Sequence, residues 1–188
     1  MVIGYLLSTK NTERYTPIYD DNHTCLVNER MASFFERYGS GKKVEITWKQ
    51  LVFSCEQLET DDDERIFRDY LVLRGCPDKF VFFHRRLTDQ LGSLFDQELQ
   101  ELPVKLRAGK GQIKEFCLVD VLNLVDGEII GGVSNKPLIT KNSDFLQNFK
   151  IARDKNNTSV IYISPALKEL FGSSQRQELI PILSDAEG

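Results

Sequence analysis

The sequence predicts an α+β fold built on a mixed, mostly antiparallel sheet with a few short amphipathic helices. Short runs rich in β-branched and aromatic residues recur along the 188-residue chain, beginning at 2–7, and clusters of Gly, Pro, Asn and Asp separate them. Helical spacing of apolar residues occurs only in brief segments, without the regular strand–helix alternation of a doubly wound sheet. In addition, one segment of the sequence is repeated in similar form.

The repeated segment predicts two strand–helix units in the C-terminal half. Residues 83–103 read FHRRLTDQLGSLFDQELQELP, and residues 159–181 read SVIYISPALKELFGSSQRQELIP. A shift of 76 residues aligns the following pairs: Thr88 with Ser164, Leu91 with Leu167, Leu94 with Leu170 and Phe95 with Phe171. The apolar–proline pairs Leu102-Pro103 and Ile180-Pro181 follow, the second two residues late. We expect repeat units near 79–106 and 159–183, in which a hydroxyl residue ends a strand and caps a short helix.

The N-terminal part, 1–75, contains fewer clear elements. We predict a helix at 29–38 that Gly39 and Gly41 end, a strand at 44–48, and extended structure at 50–57. The strand prediction depends on the alternation V-E-I-T-W, which places Val44, Ile46 and Trp48 on one half-buried face.

A run of four acids, Asp61, Asp62, Asp63 and Glu64, precedes apolar residues at helical spacing in 66–71. Carboxylates accept hydrogen bonds from the free N–H groups at a helix start and oppose the helix dipole, so the run predicts the start of a helix. The alternative is a solvated acidic patch that binds a basic partner.

The elements of the C-terminal part alternate between turns and short apolar runs. We predict a turn at 75–78, strands at 79–87, 116–125, 148–153 and 159–163, extended structure at 102–106, a hairpin turn at 109–112, and a frayed tail at 184–188. In the first repeat unit, Thr88 would cap a helix whose apolar face includes Leu91, Leu94, Phe95 and Leu99. In the second, Ser164-Pro165 would begin a helix that Gly172 ends.

Composition narrows the class of protein. The length suits one domain over 1–188, and the net charge of −4 with a pI near 5.3 argues against a nucleic-acid-binding surface. Four irregularly spaced cysteines indicate small buried thiols in a reducing compartment, and two histidines are too few for a clustered metal site. No apolar run reaches the length of a membrane span, so we expect a cytoplasmic protein without membrane contact.

No motif in the sequence predicts catalysis or a cofactor. The Walker and dinucleotide-binding glycine patterns are absent, and the proximity of His23 to Cys25 is not a catalytic arrangement by itself. The compact basic group His84-Arg85-Arg86 offers two interpretations. Its arginines pair with nearby acids, or together with Lys110 they bind a small anion in an enzyme site.

The order of elements from Cys76 onward resembles an immunity-protein family of bacterial polymorphic toxin systems. The resemblance covers roughly 76–183, with 3–8 as a possible first strand. It rests on the turn Cys76-Pro77-Asp78, a strand and helix, the segment Leu102-Pro103-Val104, a strand with Asp120, Asn123 and Asp126, the segment Phe149-Lys150-Ile151, and the strand end Ile161 to Ser164. Three features depart from the family pattern: Thr88 in place of the usual Ser, the basic group at 84–86, and Phe116 where Tyr is common.

The resemblance implies a bacterial protein that binds a cognate toxin and blocks it without covalent chemistry, and it implies no catalytic, metal-binding or cofactor-binding residue. Charge makes two surfaces candidates for the toxin contact. These partner-binding candidates are Asp61, Asp62, Asp63, Glu64, His84, Arg85 and Arg86. Besides the enzyme with an anion site, a cytosolic adaptor that binds another kind of protein remains an alternative.

Overall fold

A computed structural model describes residues 1–9, 16–20, 28–46, 48, 51–55, 69–108, 111–130, 137–174 and 176–185. The α+β prediction is confirmed, because short helices accompany mostly antiparallel strands. The helices are α1 (Asn28–Arg37), α2 (Arg85–Gln90) and α3 (Lys168–Phe171), with 3-10 turns at Gly92–Leu94 and Pro165–Leu167. The strands are β1 (Val2–Thr9), β2 (Ile18–Tyr19), β3 (Val52–Cys55), β4 (Val72–Arg74), β5 (Val81–His84), β6 (Leu99–Leu102), β7 (Lys105–Ala108), β8 (Gly111–Ile113), β9 (Phe116–Val121), β10 (Leu124–Val125), β11 (Ile129–Ile130), β12 (Leu138–Thr140), β13 (Ile151–Asp154), β14 (Ile161–Ile163) and β15 (Gln177–Ser184).

The strands form three sheets. The large sheet has the order β10-β13-β14-β1-β15-β12-β11, the middle sheet β4-β5-β9-β6, and the small sheet β2-β3-β7-β8. Parallel pairing is confined to β10 with β13, β12 with β15, and β3 with β7 among the described strands. The sheets are therefore mixed and mostly antiparallel, as predicted.

The middle sheet lies at the centre of the hydrophobic core. All six residues of β9 are buried, because the strand has apolar contacts on both of its faces. One face packs against the large sheet and α3, and the rings of Phe83 in β5 and Phe171 in α3 lie 5.8 Å apart. The other face packs against α1 and the small sheet, through an aromatic cluster that includes Phe34, Trp48 and Phe80.

The two predicted repeat segments, 79–106 and 159–183, lie in two larger units of the same topology, which we call the first and second repeat units. In the first, the hairpin β4–β5 leads through α2 to β6, and β5 and β6 flank the antiparallel strand β9. In the second, the hairpin β13–β14 leads through the 3-10 turn and α3 to β15, and β14 and β15 flank the antiparallel strand β1. Each unit thus forms a four-stranded arrangement around one central strand.

The helix register of the repeat differs from the prediction by one turn. Thr88 does not cap a helix: it lies inside α2, and its hydroxyl donates to the Arg85 carbonyl. The cap is His84, because β5 ends earlier than the predicted strand at 79–87. A shift of 80 residues then aligns the following pairs: His84 with Ser164, Leu87 with Leu167, Leu91 with Phe171 and Gly92 with Gly172. Ser164 occupies the corresponding cap position, but its side chain makes no capping hydrogen bond.

The apolar–proline pairs are equivalent, as the sequence indicated. Across β9, Leu118 pairs with Phe82 on one side and with Leu102 on the other. Across β1, Leu6 pairs in the same way with Tyr162 and with Ile180. Leu102 and Ile180 therefore occupy matching positions in the two units.

The prediction of a strand at 44–48 is wrong for the residues described there. Val44 and Trp48 are buried, but 43–46 are not assigned to a strand, and Ile46 is 48% exposed. The backbone of Val44 instead pairs with a side chain. The Gln100 amide accepts from Val44 N at 2.7 Å and donates to Val44 O at 2.9 Å, so one glutamine substitutes for a neighbouring strand.

Two further boundaries differ from the prediction. Leu99 begins strand β6 instead of continuing the helix of the first repeat unit, because the chain turns at 96–98. At the C-terminus, Ser184 belongs to the eight-residue strand β15, and Asp185 N donates to Thr140 O. Of the predicted frayed tail at 184–188, only 186–188 lie outside the described residues.

The end of α1 agrees with the prediction. Gly39 and Gly41 follow the helix with φ values of 78° and 76°, a region of backbone conformation that favours glycine. None of the helices in the described part of the chain has the length and apolar character needed to cross a membrane.

Candidate functional site

The predicted partner-binding residues separate into two groups. The acidic residues Asp61, Asp62, Asp63 and Glu64 lie outside the described residues, so that surface stays a prediction. Lys110, which the anion-site interpretation required, also lies outside them. The described candidates are His84, Arg85 and Arg86, where β5 meets α2.

His84 belongs mainly to the scaffold. Its side chain is 9% exposed and packs edge-on against the ring of Phe116 at 5.1 Å. Its Nδ1 accepts a hydrogen bond from Arg86 N at 3.2 Å, which caps the first turn of α2. Burial lowers the pKa of the imidazole, and the charge of Arg86 acts in the same direction, so the ring favours the neutral form that capping requires.

The two arginines do not form one cationic surface with His84. The guanidinium of Arg85 forms an ion pair with Glu101 at 2.8 Å, which is the pairing with a nearby acid that the sequence suggested. Arg86 is exposed on α2. The anion-site interpretation therefore loses part of its positive charge at Arg85, because Glu101 neutralises it.

Two arginines that sequence reasoning missed lie between the two repeat units, and Arg153 is buried whereas Arg74 is half-buried. Arg74 pairs with Val81 in the hairpin β4–β5, and Arg153 pairs with Ile161 in the hairpin β13–β14. Each arginine is the third residue of the first strand of its unit. A shift of 79 residues aligns the two arginines, so an alignment of the sequence with itself could have identified them.

Arg153 is completely buried and binds three parts of the chain. Its Nη2 lies 3.1 Å from the Tyr38 hydroxyl and 3.5 Å from Oδ1 of Asp120, and both Arg153 and Asp120 have no exposed side-chain surface. Its Nη1 donates to the Thr158 carbonyl, and the guanidinium lies 5.0 Å from the centroid of the Tyr38 ring. Arg153 Nε has no hydrogen-bond partner among the described residues.

Asp120 and Tyr38 complete this buried network. Both carboxylate oxygens of Asp120 accept from Gly39 N at 3.1 Å, so the loop after α1 is attached to β9. The Tyr38 hydroxyl donates to Val119 O at 2.7 Å and accepts from Val81 N at 2.9 Å. Burial raises the pKa of Asp120 to about 6, against the opposing effect of Arg153, and burial also raises the pKa of Tyr38.

Arg74 connects strand β1 to the segment just before β14. The ladder between β1 and β14 ends at Leu6 and Tyr162. Beyond it, Arg74 donates to Ser159 O at 2.9 Å and to Leu7 O at 3.0 Å. A cleft of about 380 Å³ opens there, lined by Leu6, Leu7, Ser8, Thr9, Thr16, Arg74, Asp78, Ser159 and Val160. Burial lowers the pKa of Arg74 to about 10, and the charge of Arg153 acts in the same direction.

These geometries favour scaffold roles over catalysis. The carboxylate, phenol and guanidinium of the buried network are directed at one another and at backbone groups, away from solvent. Burial raises the pKa of the Cys55 thiol to about 12 and that of the Cys117 thiol to about 11, so neither is a ready nucleophile. Cys76 is exposed, contrary to the prediction of buried thiols, and Cys25 lies outside the described residues. The described residues contain no group of three or more His, Cys, Asp or Glu that could hold a metal ion.

Comparison with known proteins adds no assignment. No model of a protein family matches the chain, and a search of curated proteins found no significant match.

Proposed function

We propose that the chain is an immunity protein that binds a cognate bacterial toxin and neutralises it by non-covalent contact. The observation that carries the proposal is the order of motifs over 76–183, from the Cys76-Pro77-Asp78 turn to the strand end at Ser164. That order resembles a family of toxin-neutralising proteins. A protein of this kind needs a binding face and no catalytic group.

The character of the internal polar groups supports a binding role. Arg74, Arg153 and Asp120 connect one repeat unit to the other. A scaffold held by such internal contacts loses little conformational entropy when it binds a partner, so more of the interaction energy appears as affinity. Rigid presentation of a surface is what inhibition by binding requires.

Co-expression with the product of the neighbouring gene tests the proposal. We expect that product to arrest growth when it is expressed alone and to be tolerated when this chain is present. Purified together, the two proteins should form a complex of fixed stoichiometry, and the mass of each chain should be unchanged, because no covalent step is involved. Growth arrest that persists while this chain is expressed and folded would contradict the proposal.

An adaptor would give a different result in the same experiment. It would form a stable complex with a partner that has no toxicity of its own. The toxicity of the isolated partner therefore distinguishes the two binding functions, whereas complex formation by itself does not.

A further inference from the structure

The hairpin of β7 and β8 is strongly basic in an acidic protein. Residues 103–114 read PVKLRAGKGQIK and contain four cations and no acid, whereas the whole chain has a net charge of −4. The described cations of this segment are Lys105, Arg107 and Lys114. We name these three residues the basic ridge.

The three residues of the basic ridge point to one side of the small sheet. Leu106 and Ile113 are paired and face the hydrophobic core, so their neighbours in sequence face outward. Arg107 pairs with Gln112, and Lys105 is two residues before Arg107, on the same face. Lys114 follows Ile113, which pairs with Leu106, so the continued register places Lys114 opposite Lys105.

None of the three cations of the basic ridge forms an ion pair with a described carboxylate. Arg85 pairs with Glu101 and Lys155 pairs with Asp126, but no described carboxylate lies within 4.0 Å of a ridge cation. Like charges at opposed positions of a hairpin destabilise it, so stability of the fold does not explain Lys105 beside Lys114. Lysine on an edge strand discourages aggregation, but Lys105 and Arg107 are on β7, which has neighbours on both sides.

An exposed apolar residue lies in the same row as the ridge. Ile18 pairs with Ser54, and Ser54 pairs with Arg107, so all three side chains share the outer face of the small sheet. Ile18 is 43% exposed. The Asp20 carboxylate in this region accepts from the Ser54 hydroxyl at 3.0 Å. Ile18 is two strands away from Arg107, and arginine is enriched in protein–protein interfaces.

We propose that the basic ridge, with Ile18 on the same face two strands away, is a docking surface for an acidic face of a protein partner. The proposal rests on the proposed function, in which that partner is the toxin. Nucleic acid fits less well. Three described cations are fewer than the roughly 6–10 phosphate contacts of a typical nucleic-acid complex. An apolar anchor also contributes nothing to contact with a phosphate backbone.

A charge-reversal pair tests the surface in solution. The ridge variant is Lys105→Glu/Arg107→Glu, and the matched control is Lys141→Glu/Lys150→Glu, which reverses two exposed lysines elsewhere and gives the same net charge. The probes are a labelled peptide of ten glutamates and a labelled ten-nucleotide single strand of DNA, followed by fluorescence anisotropy at low and high salt. We expect the peptide to bind the unchanged protein, the ridge variant to lose about tenfold in affinity, and the control variant to lose much less.

In the binding measurement, three outcomes would overturn the ridge proposal: no binding of the glutamate peptide to the unchanged protein, equal loss in both variants, or tighter binding of DNA than of the peptide. Thermal unfolding of both variants checks their folding. The milder change Lys105→Gln/Arg107→Gln replaces the ridge variant if charge reversal prevents folding, with the same loss of peptide binding expected.

The same variants separate failure of the ridge from failure of the proposed function. In the co-expression experiment, protection by the control variant but not by the ridge variant would support both proposals. Protection by the ridge variant as well would remove the ridge proposal and leave the immunity function standing. Absence of protection by the unchanged chain would contradict the immunity function. The peptide measurement would then be the remaining test of the ridge proposal.

Discussion

Arg74 and Arg153 occupy the same position in two repeat units and reach in opposite directions. Arg74, from the first unit, donates to Leu7 O on the central strand of the second unit. Arg153, from the second unit, pairs with Asp120 on the central strand of the first. The two units are thus joined by reciprocal contacts. Exchange of equivalent side chains across an internal interface is the arrangement expected when a repeated unit packs against its own copy.

The ion pair of Arg153 with Asp120 is expected to be necessary for stability. Arg153→Met leaves a buried carboxylate without its cation and should cost about 3–5 kcal/mol of unfolding free energy. Asp120→Asn alone leaves a buried guanidinium without its anion. The double change Arg153→Met/Asp120→Asn should cost less than the sum of the single changes, because neither buried charge then remains. Urea unfolding of the four proteins measures this coupling, and simple additivity would refute it.

His84 should make stability depend on pH near neutrality. Its pKa is lower in the folded protein than in the unfolded chain, so the folded state binds fewer protons. The stabilisation is fully present above the unfolded pKa of about 6.5 and is lost as pH falls through that value and below it. Protonation of Nδ1 also removes the acceptor that caps α2.

Urea unfolding between pH 5 and 8 measures this dependence. His84→Asn retains a capping side chain that does not titrate in this range, so the variant should show a smaller loss of stability at low pH. His23, the second of the two histidines, is present in both proteins and provides the baseline. The same pH dependence in both would contradict the role of His84.

The turn after α1 should not tolerate a side chain at Gly41. Its φ is 76°, and an added Cβ would lie 2.9 Å from Cγ of Leu124, so Gly41→Ala combines backbone strain with a clash. We expect Gly41→Ala to lower the unfolding free energy by about 1–3 kcal/mol. Gly92→Ala is the matched control, because an added Cβ there meets nothing within 4 Å. Thermal unfolding compares the two, and equal effects would contradict the prediction.

The contact between Gln100 and Val44 should hold 43–46 in place. Gln100→Ala removes both hydrogen bonds to the Val44 backbone. We expect the amide hydrogen of Val44 to exchange at least about tenfold faster, and the unfolding free energy of the protein to fall by about 1 kcal/mol. Hydrogen exchange measured by NMR reports the local opening. Gln112→Ala, on the exposed strand β8, is the control and should leave Val44 unchanged.

Local chemistry in the sequence determined several elements of this protein. The β-branched run at 2–7, the glycines after α1, the buried run in β9 and the apolar–proline pairs all depend on neighbours in sequence, so patterns of apolar residues and turn residues predicted them. The repeat was visible for the same reason, since both copies need the same alternation of strand, helix and strand. These signals were enough for the fold class.

Tertiary structure decided which side chains pair across the units. His84 replaces Thr88 as the cap because pairing with Phe116 ends β5 at that residue. The segment 44–48 has the alternation of a strand, but the amide of Gln100 satisfies Val44, so no strand is assigned to its described residues. The buried charges of Arg153 and Asp120 become tolerable only when residues far apart in sequence meet. Such contacts follow from the packing of whole units, which local pattern does not encode.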